Sequence, residues 1–225
     1  MRWQHPERGN IPPSRFIPVA ERSGQIIEIG QWVLNEACAQ VRAWQGTPFE
    51  GLVVSINVST VQFKRGTLES VVSTALERHG VPPGSIELEV TESALIHDPE
   101  AFVQTLHGLK RLGLRLSIDD FGTGYSNLSY LQRFKIDKLK IDQSFVRRLT
   151  EREQDRAIVR AIIQMAKSLN LATTGEGIED EKTRACLVEL GCDQGQGFAL
   201  GRPQVVANFE VQFAGLLHGT AGAAA

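Results

Sequence analysis

Four strand-like runs of this chain share one asymmetry, an apolar face backed by a polar one. In residues 52–58, Leu52, Val54, Ile56 and Val58 alternate with Val53, Ser55 and Asn57. In 86–91, Ile86, Leu88 and Val90 oppose Glu87, Glu89 and Thr91. In 114–119, Leu114, Leu116 and Ile118 oppose Arg115, Ser117 and Asp119, and in 137–141 Leu139 and Ile141 oppose Lys138 and Lys140. Successive strand residues point to opposite sides, so each run needs apolar cover on one side only. An open doubly wound sheet packs helices on both faces and wants both apolar. A closed barrel with a polar, solvated upper interior wants this pattern, so the alternation predicts a TIM-like (β/α) barrel.

Further runs at 171–175 and, more weakly, around Gln196-Gly197-Phe198 extend the series. Helical spacing fills the gaps: Ile29/Trp32/Val33/Ala37/Val41/Trp44, Val71/Val72/Leu76, Phe102/Leu106/Leu109, Ile158/Ile162/Met165 and Ala185/Val188. Before them, Pro12-Pro13-Ser14 reads as the entry to a short helix that Gly24 ends. A βα alternation every ~20–35 residues implies a parallel sheet. Five or six βα units are legible in the 225 residues, where about eight complete a barrel. The missing part is expected at the N-terminus. Residues 1–215 read as one domain, and 216–225, ending Ala-Gly-Ala-Ala-Ala, as a disordered tail.

Composition removes several classes of function. A 42% apolar content supplies a core, and a net charge of −2 encodes no general pull toward a DNA or RNA duplex or an anionic membrane. Cys38, Cys186 and Cys192 are scattered without C-x-x-C spacing, which fits reduced thiols in a cytoplasmic protein. The sequence holds no apolar run of about 18 residues and no signal-peptide pattern, so no membrane contact is expected from this chain.

Barrel active sites lie at the C-terminal ends of the strands. Those ends carry Asn57, Glu89 with Glu92, Asp119-Asp120, Lys140 with Asp142, and Glu176 with Glu179. Taken singly, each has a plain structural reading: a turn at Asp119-Asp120, a solvated edge at Glu87 and Glu89, a surface charge at Lys140, a helix start at Glu176 and Glu179. Five successive strands placing such groups at one end favour a common site. Oxygen donors without histidine or cysteine suit Mg²⁺ or Mn²⁺. Two such ions about 4 Å apart would reconcile the converging carboxylates and support phosphodiester hydrolysis. The five histidines show no ligand spacing, and neither a G-x-S-x-G elbow nor a P-loop is present. Gly122 and Gly124 read as hinges of a mobile loop, and Trp3, Trp32 and Trp44 as packing residues.

Arg2-Trp3-Gln4-His5-Pro6, FIPVAE (16–21), SINVS (55–59), LEVTES (88–93), IDDFGTGYSNLSYL (118–131), KLKID (138–142), GEGIE (175–179) and QGFALGRP (196–203) occur in that order. Together they resemble the EAL-domain cyclic di-GMP phosphodiesterases along essentially the whole chain. The resemblance implies a TIM-like barrel that hydrolyses cyclic di-GMP to pGpG with two Mg²⁺ or Mn²⁺ ions. It implies Asn57, Glu89 and Asp119 as ligands of one ion, and Asp119, Asp120 and Glu176 as ligands of the second, Asp119 bridging. Lys140 takes the place of the lysine that orients or deprotonates the attacking water, with Gln196 near that water. Glu179 matches a residue that fixes the DDFGTGYS loop, Arg2 one that contacts a substrate phosphate, and the 119–131 region implies a homodimer contact.

Met1 falls at x of the family's E-A-L-x-R-W motif, so the motif's glutamate, a metal ligand, precedes the sequence. The first barrel strand and most of the second are expected to be missing with it, leaving this chain with little turnover. The alternative is a degenerate EAL domain that binds cyclic di-GMP or a protein partner without cleaving it.

Overall fold

The alternating runs become a six-stranded parallel sheet in the computed structural model, which describes residues 1–92, 94, 99–124, 131 and 133–218. Its strands are β3 (Val54–Val58), β4 (Ile86–Thr91), β5 (Arg115–Phe121), β6 (Lys138–Ile141), β7 (Ala172–Glu176) and β8 (Gln194–Gln196), adjacent in chain order. The sheet curls into a half-barrel. Register lines up the apolar parity: Ile56 lies opposite Leu88, Leu88 opposite Leu116, and Ile118 opposite Leu139. All five are buried on the convex side beneath the helices. Fully burying such a side chain is worth about 1.5–3 kcal/mol, so this ribbon fixes the register and with it the polar face.

The helices follow the predicted spacing. They are α1 (Pro13–Ser23), α2 (Ile26–Trp44), α3 (Thr60–Lys64), α4 (Leu68–His79), α5 (Pro99–Arg111), α6 (Gln143–Val146), α7 (Glu153–Ser168), α8 (Glu181–Leu190) and α9 (Val206–His218). Helix α5 buries Phe102, Val103, Leu106 and Leu109, the face its periodicity marked. Gly24 ends α1 with a left-handed φ of 78°, a conformation that favours glycine. Ser59, directly after β3, starts α3 through a capping box with Gln62 and also donates to Glu21 of α1 at 2.6 Å.

Three features differ from the sequence expectation. The polar opening contains an antiparallel hairpin, β1 (Trp3–His5) with β2 (Gly9–Ile11), and Trp3 packs edge-on against Phe16. Helix α9 runs through His218, into the stretch read as a tail; residues 219–225 lie outside the described residues. The polar face of the central strands is sealed from water: Glu87, Glu89, Asp119 and Lys140 are each no more than 8% exposed. Opposite charges on β4, β5, β6 and β7 pair across the concave side and make that burial tolerable.

Helix α9 also links the ends of the sheet. Phe209 meets the rings of Trp44 and Phe49 with centroids 6.0 and 5.8 Å apart. The Trp44 indole donates to Glu210 at 2.7 Å. Since α2 leads into edge strand β3 and α9 follows edge strand β8, this contact spans the opening of the half-barrel. No helix among the described residues is long and apolar enough to cross a membrane.

Candidate functional site

The concave side carries two tiers of charge. In the lower one Lys138 of β6 pairs with Glu87 of β4 at 2.8 Å, and Ser55 of β3 donates to Glu87 at 3.1 Å. In the upper one, at the C-terminal strand ends, the Lys140 ammonium lies 2.7 Å from Glu89, 3.1 Å from Asp119 and 2.7 Å from Glu176. Burial pulls the Lys140 ammonium down, but Glu89, Asp119 and Glu176 together outweigh it and hold the group above its ordinary value. Burial raises the Glu176 carboxyl, Asp119 adds to that, and Lys140 opposes it.

Asp119 and Asp120 are consecutive, so a regular strand would send them to opposite faces. Between Ile118 and Phe121, β5 advances three residues while β6 advances two from Leu139 to Ile141. That bulge, with Asp120 at a left-handed φ of 55°, turns both carboxylates to the same mouth. Oxygens of Asp119, Asp120 and Glu176 lie within 4.8 Å of one another. Burial lifts the Asp120 carboxyl to about 6, with Asp119 and then Asp142 adding to the effect. Asp142 in turn caps α6 by accepting the Ser144 N–H at 2.8 Å. Asn57 extends the set from β3, donating to Glu89 at 3.2 Å. This cluster fits the donor chemistry of Mg²⁺ or Mn²⁺, being hard oxygen throughout with no nitrogen or sulfur ligand in the group.

Glu179 and Gln196 border the same mouth. Gln196 of β8 is in register with Glu176, and the two share a cavity of about 220 Å³ with Arg147, Glu179 and Phe198. Glu179 pairs with Arg147 at 2.9 Å, both about half exposed. Among the described residues, the backbone after Asp120 meets Glu92, which is buried and accepts the N–H groups of Gly122 at 2.9 Å and Gly124 at 3.3 Å. Sequence reasoning placed Glu92 at the mouth but gave it no part. The signal available was its position one residue beyond β4, facing the glycines that follow the paired aspartates. Residues 125–130, which include much of the expected dimer region, lie outside the described residues.

Arg2 is not brought to this cluster. It lines a separate cavity of about 600 Å³ with Trp3, Arg8, Arg15, Phe16 and Trp32, and its guanidinium donates to the Met1 carbonyl at 3.0 Å. That cavity is the larger, but its walls hold none of the carboxylates gathered around Lys140.

Residues 1–203 match the model of the EAL domain family. The chain is 44% identical over 203 residues to the bifunctional diguanylate cyclase/cyclic di-GMP phosphodiesterase MucR of Pseudomonas aeruginosa, covering 90% of this chain and 30% of that protein. It is 39% identical over 210 residues to the cyclic di-GMP phosphodiesterase PdeR of Escherichia coli K12, covering 93% of this chain and 32% of that protein. Among solved structures, the PaMucR phosphodiesterase in complex with c-di-GMP superposes with a TM-score of 0.90 at 43% identity, over 92% of this chain and 84% of that one. The chain thus spans about a third of the length of these curated relatives. A family match that runs from the N-terminal hairpin past β8, with the same half-barrel beneath it, makes this chain a member of the EAL-domain family.

Proposed function

We propose that the intact EAL domain hydrolyses cyclic di-GMP to pGpG. The reading rests on one observation: Asp119 stands at once in the Lys140 group and in the Asp119–Asp120–Glu176 cluster, at the end of the curled sheet where such sites form. Its relatives MucR and PdeR bear the name cyclic di-GMP phosphodiesterase.

Asp119, Asp120 and Glu176, with Glu89 and Asn57 on the β3 side, are the residues that would hold two Mg²⁺ or Mn²⁺ ions. When bound, such ions supply Lewis acidity toward the phosphoryl oxygens and acidify a coordinated water. The protein's own part is to keep these oxygens converged and buried. Lys140, within reach of three carboxylates, would orient the attacking water and stabilise developing negative charge. Glu92 fixes the turn that follows the paired aspartates. Glu179 and Gln196 border the adjoining cavity, where Phe198 offers an aromatic face for a base. Arg2, in its own cavity, would serve a substrate phosphate only where the substrate reaches the N-terminal hairpin.

The test is formation of pGpG from cyclic di-GMP with Mg²⁺ or Mn²⁺. Chelation should abolish it, and Asp119→Asn should lower turnover by at least about 10²-fold. Binding of cyclic di-GMP without cleavage under any metal condition would favour the sensor reading instead.

A further inference from the structure

The Lys140 ammonium occupies the place where carboxylates of β4, β5 and β7 converge, 2.7 Å from Glu89, 3.1 Å from Asp119 and 2.7 Å from Glu176. Its side chain is 4% exposed and those of the three acids are 6%, 12% and 15% exposed. Three carboxylates so close and so dry repel one another, and without a cation among them they protonate or spread apart. The architecture supplies that cation from within the chain. Lys140 reaches Glu89 two strands away, across β5, whose residue in register with Glu89 is the small Ser117. In the lower tier the Lys138–Glu87 pair repeats the scheme with a single acid, so the convergence of three acids on one ammonium is particular to the strand ends.

We propose that Lys140 is the site's resident counter-cation. Before any divalent ion binds, its ammonium neutralises Glu89, Asp119 and Glu176 and keeps them converged. An arriving ion must then share these oxygens with the ammonium or displace it. This rests on the metal-site reading given above and assigns Lys140 a positioning role separate from orienting water. It has two consequences. The metal-free fold depends on Lys140, and Lys140 weakens divalent-ion binding by competing for the same oxygens.

The experiment compares the parent chain with Lys140→Met, which keeps the stem and removes the charge, and with Lys140→Met/Glu176→Gln, which also removes one acid. In chelator at neutral pH, Lys140→Met should melt roughly 5–15 °C below the parent, and the double variant should recover part of that loss. By calorimetry, Mn²⁺ should bind Lys140→Met at least about tenfold more tightly than the parent. A melting point in chelator within about 2 °C of the parent, or Mn²⁺ affinity unchanged or weaker, overturns the proposal. A lysine that acts on water alone would lose turnover and leave both quantities in place.

If Lys140→Met folds with Mn²⁺ but not in chelator, the proposal stands. If it folds in neither, the parent decides. Its ¹⁵N-labelled Lys140 side chain should give a slowly exchanging ammonium resonance in chelator that shifts as Mg²⁺ is added. Absence of that protected signal, or its indifference to saturating Mg²⁺, overturns the proposal. A parent that takes up no Mn²⁺ sinks the metal reading itself, while the melts in chelator still decide whether Lys140 holds the acids together.

Discussion

The Glu92 carboxylate accepts the backbone N–H of Gly122 at 2.9 Å, so the turn after Asp119 and Asp120 is held from the end of the neighbouring strand. The same carboxylate takes the Gly124 N–H at 3.3 Å, and a Cβ at Gly124 would sit 2.7 Å from a Glu92 oxygen. A side chain at this position would have to push the Glu92 carboxylate aside.

Removing this anchor should loosen the turn before it unfolds the domain. Glu92→Ala should speed hydrogen exchange at Gly122 and Gly124 and lower pGpG formation by about tenfold or more. Glu92→Gln, which keeps one carbonyl acceptor, should fall between. Exchange at both glycines equal to that of the parent would show that the turn is held by something else.

The lower tier gives a stability prediction free of catalysis. Lys138→Ala strands Glu87, which is 2% exposed in its side chain, without its partner. The expected cost is about 3–5 kcal/mol in denaturant melts, because an uncompensated charge is left buried. The double variant Glu87→Leu/Lys138→Met should lie within about 1–2 kcal/mol of the parent. Equal losses in the single and double variants would argue that the pair matters for shape alone.

Asp120 sets a pH dependence in the metal-free protein. Its folded value of about 6 exceeds the ~3.9 of an unfolded aspartate. The folded state therefore binds this proton more tightly. Its contribution to stability is complete below about pH 4 and is lost as pH rises through about 6. In chelator, the parent should lose stability between about pH 4 and 7 relative to Asp120→Asn, which lacks that titration. Asparagine tolerates the left-handed backbone at this position, so the comparison isolates the charge. Parallel stability curves for the two proteins would contradict the assignment.

Helix α9 should stabilise the sheet by joining its ends. Phe209→Ala removes a ring packed on Trp44, Phe49 and Phe213 and should cost about 1–3 kcal/mol. Val211→Ala on the same helix, at an 85% exposed position, should change stability by less than about 0.5 kcal/mol. Similar losses from both would mean that helix propensity, and not the aromatic contact, carries the effect.

Local pattern along the chain was enough for the strands, their apolar parity and the end of the sheet at which acids gather. These follow from local alternation, which a strand must respect wherever it packs. The ordered motifs pointed to the family on the same residues. Beyond that, local pattern was silent or misleading. Strand parity separates Asp119 from Asp120, and only the bulge between β5 and β6 turns both to one mouth. The alternation marked a polar face but read it as solvated, because pairing of Lys138 with Glu87 and of Lys140 with three acids depends on register across several strands. Glu92 gained its part from the turn folding back over it, and α9 reached Trp44 from 166 residues away in the chain. Periodicity is a property of neighbours along the backbone. Convergence of charge is a property of curvature and register, which exist only once the sheet is assembled.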